Sequence, residues 1–251
     1  MKGEFEGPRT AIVTGGAKRI GAALCRALAV DGWHLLIHCL NSTAEADALA
    51  AELGNARIVQ ANLASPTVAE EIFEALNGMP PARLLVNNAS RFSLDAADDF
   101  SVEQWDSHVD INLRAPALLS QAFARGPEGG LIVNLLDAKL ANPNPDFFTY
   151  TISKMGLAGL TELSARAFAR RGIRVCGIAP SVTLVSGPQS RDNFEAAHRL
   201  NALERGIDVA EIVAALRFLI STPTITGQTI TLDSGQRFLG LARDVQFLEP
   251  Q

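Results

Sequence analysis

The sequence predicts an α/β protein of the Rossmann type: a doubly wound parallel sheet of about seven strands, with helices on both faces. Short β-branched or aliphatic runs alternate with longer amphipathic runs along almost the whole 251-residue chain. No linker, repeat or low-complexity run divides it, and 47% hydrophobic content is ample for one large core. Because parallel strands that alternate with helices are covered on both faces, we expect one three-layer α/β/α domain over residues 1–251.

The strands and helices are assigned from these runs. The predicted strands cover residues 10–14, 34–38, 57–60, 84–87, 131–135, 174–178 and 229–232. The predicted helices, several of them preceded by Ser, Thr or Asp, cover residues 20–30, 44–53, 68–76, 102–123, 150–170 and 209–220. Residues 181–206 show no clear period and follow the sixth strand, so we expect a flexible substrate loop at the carboxyl edge of the sheet.

Composition excludes several classes of function. The net charge of −5 and the scattered positions of the 22 Lys and Arg residues give no basic surface for nucleic acid. No segment has the roughly 18 uninterrupted apolar residues of a membrane span, so we expect a soluble, cytoplasmic protein. Cys25, Cys39 and Cys176 lie far apart without His at metal-ligand spacing, which predicts reduced buried thiols and no metal site.

The first strand ends in a glycine-rich turn that runs directly into a helix. Gly15 and Gly16 permit a tight turn, Gly21 permits close packing of helix on strand, and free amides at the helix start suit a pyrophosphate. The spacing differs from the common Gly-x-Gly-x-x-Gly pattern, and Arg19 stands where a glycine is expected. Its guanidinium could bind a diphosphate or an acceptor-rich ligand, or it could be a solvated first-turn arginine.

The segment after the second strand predicts a preference for NADPH. Many NAD-binding folds carry Asp or Glu here to hold the ribose hydroxyls, whereas this chain has His38, Asn41 and Ser42. Without a carboxylate there is no repulsion of a 2′-phosphate, and these side chains could donate hydrogen bonds to it. For His38, a neutral histidine at the end of a strand is an equally good interpretation.

A Tyr-x-x-x-Lys pair predicts proton-transfer chemistry. Tyr150 and Lys154 lie four residues apart, so on a helix both side chains point into one cleft. A nearby ammonium favours the phenolate and lowers the pKa of a tyrosine, which makes the phenol a usable proton donor. Asp137 lies thirteen residues before Tyr150. An isolated pair of this kind is usually a surface Tyr and Lys, and the rest of the chain favours the functional interpretation.

These segments together resemble the short-chain dehydrogenase/reductase family over nearly the whole chain. The resembling residues are Thr14 to Gly21, Asn62-Leu63, Asn87 to Ser90, Asn112 in Asp-Ile-Asn-Leu, Tyr150 with Lys154, Ile178-Ala-Pro180 and Thr226 to Ile230. The resemblance implies a homotetramer, with Tyr150 as acid, Lys154 bound to the nicotinamide ribose and Asn112 holding a water of a proton relay. The implied cofactor-binding residues are Gly15, Lys18, Arg19, Ile20, Gly21, His38, Asn41, Ser42, Asn62, Leu63, Asn88, Ala89, Ser90, Tyr150, Lys154, Pro180, Val182 and Thr183.

Within that family the chain is most similar to the pteridine reductases, including dihydromonapterin reductases. The similarity is carried by Lys18-Arg19, the segment from His38 to Asp47, Asn88 to Phe92, and Asp137 where most relatives carry Ser. It implies that Phe92 and the nicotinamide sandwich a pterin ring. The residues implied to line the same pocket are Arg19, Ser90, Asp137 and Tyr150. Asn41, Asn62 and Ser181 depart from the group's Arg, the usual Asp and a common Gly, and Asn41 weakens the expected preference for NADPH.

The chemistry of a carboxyl group supports the same interpretation. An ionised Asp137 would repel the oxyanion that develops when a ketone accepts hydride, whereas a Ser hydroxyl would stabilise it. A ring C=N bond needs a proton on nitrogen, which a carboxyl that shares a proton with Tyr150 can supply. Asp137 could instead be a helix cap or a surface carboxylate, and Phe92 could be ordinary core packing.

We therefore expect an NADPH-dependent reductase that converts a dihydropterin to the tetrahydro form. One alternative is a reductase of a ketone, a quinone or a 3-oxoacyl thioester. A more remote one is a protein that senses dinucleotides without catalysis, although such a sensor would not need Tyr150, Lys154 and Asn112.

Overall fold

The seven predicted strands form one parallel sheet in the computed structural model, which describes residues 5, 7–185 and 189–247. Their order across the sheet is β3-β2-β1-β4-β5-β6-β7, and every neighbouring pair is parallel. The strands are β1 (Thr10–Val13), β2 (His34–Cys39), β3 (Ala56–Gln60), β4 (Ala82–Asn87), β5 (Gly130–Leu135), β6 (Ile173–Pro180) and β7 (Thr229–Leu232). The predicted fold class is confirmed.

Helices cover both faces of the sheet. They are α1 (Arg19–Val30), α2 (Thr43–Leu53), α3 (Val68–Glu74), α4 (Val102–Val109), α5 (Ala115–Arg125), α6 (Phe148–Phe168), α7 (Arg191–Arg199) and α8 (Val209–Ser221). Alternate residues of β1 point to opposite faces: Val13 packs in a core that includes α1 and α8, whereas Ile12 packs in a core that includes α3 and α5. Both cores lie against the same sheet, so the molecule has three layers.

Two elements differ from the sequence predictions. The helix predicted over residues 102–123 is α4 and α5 separated by a π-helical turn, Asp110–Arg114, in which Ala115 N donates to Asp110 O. Pro116 stands in the first turn of α5. The π-helical turn before it is not visible in the sequence, because one wider turn hardly changes a 3.6-residue apolar pattern. The region expected to be a loop contains α7, which buries only Ala197 and so shows no apolar period. Residues 186–188 of that region lie outside the described residues.

The strand order places one crevice at the carboxyl edge of the sheet. The chain reverses direction across the sheet between β1 and β4, and the loops after these neighbouring strands diverge to leave a ligand-binding crevice. The glycine-rich turn follows β1, Asn88 follows β4, and Asp137 follows β5 by two residues. Residues far apart in the sequence therefore meet at this edge.

The described residues contain no helix long and apolar enough to cross a membrane, and no group of three or more potential metal-binding His, Cys, Asp or Glu side chains. Cys25, Cys39 and Cys176 are buried free thiols, as predicted. Burial raises the pKa of Cys25 to about 12, so this thiol stays protonated and inert.

The central sheet supplies a direct test of the core. Leu85 on β4 is fully buried, so Leu85→Ala should lower the free energy of unfolding by about 2–5 kcal/mol in urea denaturation. Val30→Ala, at a side chain that is 83% exposed, should change it by less than about 0.5 kcal/mol. Equal effects of the two substitutions would contradict the assignment of Leu85 to the core.

Candidate active site

The glycine-rich turn is shaped by close backbone packing. A Cβ on Gly21 would lie 2.2 Å from Gly15 O and 2.8 Å from Asn88 Nδ2, so no larger residue fits without movement of the turn. Gly15 has a φ of +60°, which glycine adopts readily. The predicted role of Gly21 in close packing agrees with this geometry.

Residues after β4 hold the turn in place. Asn88 Nδ2 donates to Thr14 O at 2.8 Å and to Gly15 O at 3.1 Å. Thr14 Oγ1 accepts from Asn88 N and Ala89 N, both at 3.0 Å. Asn88 and Ala89, which were predicted to bind the cofactor, therefore hold the glycine-rich turn in place.

His38 is placed differently from its predicted role. Its Nδ1 accepts from Gly15 N at 3.1 Å, and its Nε2 lies 3.0 Å from Ala61 O, to which only an N–H can donate. Burial lowers the pKa of His38, so the ring is neutral and both nitrogens are engaged. This arrangement contradicts donation from His38 to a 2′-phosphate and matches the alternative, a neutral histidine at a strand end.

The start of α1 is suited to a phosphate group. Its first turn contains no acidic residue, and the first amides of a helix have no acceptor within it. Arg19 adopts φ +53° and is exposed, and it forms no ion pair within the described part of the chain. Lys18 instead pairs with Glu45 of α2 at 2.6 Å. Of the two predicted cations, Arg19 is thus the one left available to a ligand.

The remaining residues predicted to bind a cofactor lie at the ends of β2, β3 and β6. Asn41 is exposed and Ser42 is half-buried after β2. Asn62 Oδ1 accepts from Ala64 N at 3.0 Å, while the Leu63 side chain packs in the core. The predicted residues that line the main cavity directly include Ile20, Pro180, Val182 and Thr183.

The predicted catalytic pair is a hydrogen-bonded cluster. Tyr150 Oη donates to Asp137 Oδ2 at 2.7 Å. Asp137 Oδ1 accepts from Lys139 N at 2.8 Å and so caps a short 3₁₀ helix, Ala138–Ala141. Asp137 therefore fills both roles that its sequence position suggested, partner of Tyr150 and helix cap, with a different oxygen for each.

The pKa of Tyr150 shifts in the direction opposite to the sequence prediction. Burial, together with the negative charge of Asp137 and the hydrogen bond to it, raises the pKa of Tyr150 well above 10.0. The Lys154 ammonium does not outweigh this increase in pKa: its Nζ donates to Leu135 O at 2.7 Å and lies 5.8 Å from the centre of the tyrosine ring. Tyr150 therefore stays protonated, and its proton is directed at Asp137.

Lys154 is nearly completely buried, with 2% of its surface exposed. Burial lowers its pKa from 10.5 to about 8, against the opposing effect of Asp137. The side chain is therefore still largely an ammonium at neutral pH, next to the carboxylate and phenol.

Asn112 uses its whole side chain to anchor the loop after β4. Its Oδ1 accepts from Arg91 N at 2.8 Å and from Ser90 Oγ at 3.2 Å. Its Nδ2 donates to Arg91 O and to Ser153 Oγ, both at 2.9 Å. The role that the resemblance implied for Asn112, a water in a proton relay, stays a prediction.

Phe92 lies beside Tyr150, which is predicted to be catalytic. Its ring meets the Tyr150 ring edge-on, with centroids 4.8 Å apart, and stacks on Phe147 at 4.3 Å. It is still 37% exposed and lines the cavity, so it is not a buried core residue. A flat aromatic ligand could lie on the exposed part of this ring.

A polar network fixes the other side of the Phe92 loop. Thr149 Oγ1 and N donate to Asp95, which leaves Thr149 Oγ1 to accept from His108 Nδ1 at 2.6 Å. Burial lowers the pKa of His108, so the neutral Nε2 accepts from Ser93 Oγ at 3.1 Å. The chain of hydrogen bonds thus runs from Ser93 through His108 and Thr149 to the Asp95 carboxylate, and each bond has one donor and one acceptor.

One cavity of about 510 Å³ joins these parts. The predicted residues around it include Arg19, Ser90, Phe92, Asp137, Tyr150 and Lys154. Further lining residues were not predicted: they lie in and just after the 3₁₀ helix and in the chain after β7, and include Lys139, Asn144, Arg237, Arg243, Asp244 and Gln246. The sequence signal for them was weak, because the segment after β7 has no period and no motif.

The comparisons with known proteins agree with this geometry. A family model described as short chain dehydrogenase matches residues 9–195. The chain belongs to this family. A 3-oxoacyl-[acyl-carrier-protein] reductase of Synechocystis sp. is 29% identical over 238 residues, which cover 90% of this chain and 96% of that protein. A D-threitol dehydrogenase of Mycolicibacterium smegmatis is 32% identical over 240 residues, with coverage of 90% and 92%.

Solved structures resemble this short-chain dehydrogenase closely. FolM Alternative dihydrofolate reductase 1 from Brucella canis, complexed with NADP, is 37% identical with a TM-score of 0.88 over 92% of this chain and 94% of that one. The Brucella suis protein, also in complex with NADP, is 38% identical with a TM-score of 0.87 over 92% and 95%. A blue fluorescent protein from a metagenomic library, in complex with NADPH, is 30% identical with a TM-score of 0.82 over 92% and 98%.

The network around Thr149 can be tested with two matched substitutions. Thr149→Val keeps the shape but removes the hydroxyl, which leaves buried groups of Asp95 and His108 without a partner. We expect it to lower the free energy of unfolding by about 1–3 kcal/mol in urea denaturation. Thr149→Ser keeps the hydroxyl and should cost clearly less. If the two variants are equally stable, the hydroxyl does not link the network.

The pKa of Lys154 predicts a pH-dependent stability. Between pH 8 and 10 the unfolded state, in which the pKa is 10.5, binds more protons than the folded state, so the free energy of unfolding contributed by Lys154 rises with pH. Lys154→Met removes this titration. The difference in unfolding free energy between wild type and variant should therefore shift in favour of wild type from pH 7.5 to 9.5. Parallel pH profiles would refute the lowered pKa.

Proposed function

We propose that this short-chain dehydrogenase is an NADPH-dependent reductase that acts on a ring C=N bond of a pterin and converts a dihydropterin to the tetrahydro form. The observation that carries the proposal is the hydrogen bond of Tyr150 Oη to Asp137 Oδ2, at 2.7 Å, in a cavity that Phe92 also lines. A carboxylate and a phenol share one proton beside an aromatic ring.

The cofactor proposal rests on the crevice and on the relatives. The Brucella structures are complexed with NADP and the metagenomic protein with NADPH. In this chain the glycine turn and Arg19 fit a diphosphate, and Asn41 and Ser42, in a segment (residues 38–44) without Asp or Glu, fit a 2′-phosphate. Lys154 and Tyr150 would lie at the nicotinamide end. When bound, NADPH supplies the hydride.

The residues of the chain supply and position the proton. Tyr150 holds its proton because burial and Asp137 raise its pKa, and the hydrogen bond to Asp137 fixes the direction of the O–H group. A ring nitrogen that gains electron density takes the single proton that Tyr150 and Asp137 share, the Lys154 ammonium opposes the negative charge left on both side chains, and a proton from solvent restores the pair. The exposed part of the Phe92 ring would hold the flat substrate, and Arg19 and Ser90 lie on the same cavity.

A carbonyl reductase is the second candidate. It is favoured by the Synechocystis relative, named as a 3-oxoacyl-[acyl-carrier-protein] reductase, and by the Mycolicibacterium D-threitol dehydrogenase. Asp137 opposes it, because a carboxylate at the reacting atom repels a developing oxyanion. The two Brucella relatives, at 37% and 38% identity, are named as dihydrofolate reductases, which favours a substrate with a pterin ring. The homotetramer and the cytoplasmic location stay predictions.

Substitution of Asp137 separates these candidates. We expect Asp137→Ala to lower kcat/KM for dihydrobiopterin or dihydromonapterin by at least about 100-fold, because the proton acceptor and orienting group of Tyr150 is lost. NADPH oxidation measured by absorbance gives the rate, and binding titration should give an NADPH affinity within about threefold of wild type. Full pterin turnover by the variant would refute the role of Asp137.

Asp137→Ser is the matched variant for the second candidate. In a carbonyl reductase it should raise the turnover of a small panel of ketones and acyl thioesters, whereas in a pterin reductase it should reduce pterin turnover without creating substantial ketone activity. NADPH binding by wild type without turnover of any substrate would instead favour a dinucleotide sensor.

A further inference from the structure

The chain after β7 forms a fixed wall of the cavity. Arg243, Asp244 and Gln246 line it. Asp146, before α6, accepts from Arg243 Nε at 2.8 Å and from Asp244 N at 2.7 Å, so two bonds tie this segment to the loop that precedes Tyr150. These two bonds hold the segment after β7 in place as part of the cavity wall.

Asp244 presents a carboxylate with unused hydrogen-bonding capacity. Its Oδ1 accepts from Gln246 N at 3.1 Å. Its Oδ2 lies 3.5 Å from Lys139 Nζ, which is longer than the roughly 2.7–2.9 Å of a close charge-assisted hydrogen bond. Both side chains are largely buried, 15% exposed for Asp244 and 10% for Lys139. A buried carboxylate with one firm donor benefits from another donor.

Lys139 has capacity of the complementary kind. Its Nζ donates to Asp146 O and lies 5.4 Å from the centre of the Phe147 ring. An ammonium has three hydrogens, and only one of them has a short partner among the described residues. Lys139 and Asp244 therefore offer a donor and an acceptor side by side.

The pair of Lys139 and Asp244 lines the same cavity as Phe92, Asp137 and Tyr150. The Phe147 ring lies 5.4 Å from Lys139 Nζ and stacks on Phe92 at 4.3 Å. Lys139 N also donates to Asp137. A flat ring beside Phe92 and Asp137 would therefore share one cavity with Lys139 and Asp244, which a short substituent on the ring could contact.

We propose that Lys139 and Asp244 form a subsite for the hydroxyl groups of a short hydroxyalkyl substituent on the substrate ring, an inference that rests on the proposed function. A hydroxyl group accepts from the ammonium and donates to the carboxylate, so it completes both. A methyl substituent satisfies neither and leaves the pair as it is. The subsite thus favours hydroxylated dihydropterins over alkylated ones.

The test compares two substrates that share one ring. Dihydromonapterin carries a hydroxylated side chain, and 6-methyl-7,8-dihydropterin carries a methyl group. Wild type should have a kcat/KM about tenfold higher for the first. Asp244→Asn and Lys139→Met should each lower kcat/KM for dihydromonapterin by about 10- to 100-fold, mainly through KM, and change the value for the methyl substrate by less than about threefold.

Controls separate recognition from loss of structure. Asp192→Asn, at an exposed carboxylate of α7, makes the same charge change and should leave both substrates unaffected. NADPH affinity and the thermal midpoint report whether each variant is folded. Equal losses on both substrates, or no loss on either, would overturn the subsite. If wild type reduces no dihydropterin at all, the proposed function fails first, and this inference with it.

Discussion

The hydrogen bond between Tyr150 and Asp137 sets the requirements for the rest of the site. A buried phenol whose pKa lies well above its ordinary value keeps its proton, so it needs an acceptor, and Asp137 supplies one at 2.7 Å. Each partner is fixed by a different part of the fold, Asp137 by a cap on Lys139 N after β5 and Tyr150 by the first turns of α6. Lys154, four residues along the same helix, brings the opposite charge and is held by Leu135 O. The chemistry of the cavity follows from this one shared proton.

The loop that carries Phe92 is held at both ends by polar side chains. Asn112, in the π-helical turn, binds the backbone of Arg91 on one side, and His108 binds Ser93 on the other. The second connection continues through Thr149, the residue before Tyr150. Any shift of Phe92 therefore strains the same helix start that positions the phenol, so the ring surface and the proton donor are placed together. The polar groups that make this connection, His108, Asn112 and Thr149, are fully buried, where each hydrogen bond is stronger than in water.

Sequence reasoning succeeded where local pattern decides the structure. The strands could be predicted because buried runs alternate with helices. Tyr150 and Lys154 could be predicted from their helical spacing, and Asp137 from the resemblance to the family, in which most relatives carry Ser at this position. The predictions from sequence were wrong where burial and contacts between distant parts of the chain decide the role or the pKa of a residue. The role of His38 depends on Gly15 and Ala61, and the pKa of Tyr150 depends on desolvation that spacing does not reveal. Asp244 was missed for the same reason, because only the folded chain brings the segment after β7 to the catalytic cluster.

The proposed distinction between carbonyl and ring C=N chemistry rests on Asp137, in a fold shared with relatives that are named for other substrates. Relatives named as reductases or dehydrogenases of other substrates span more than nine-tenths of their own length in alignment with this chain, so the sheet and the crevice do not select the substrate. At position 137 a carboxylate penalises a developing oxyanion but supports protonation of nitrogen, and the two effects have opposite sign for the two reactions. Asp137 is also the cap of the 3₁₀ helix that contains Lys139. A change at this position would therefore alter both the acceptor of the Tyr150 hydrogen bond and the start of the helix that carries Lys139 in the cavity wall.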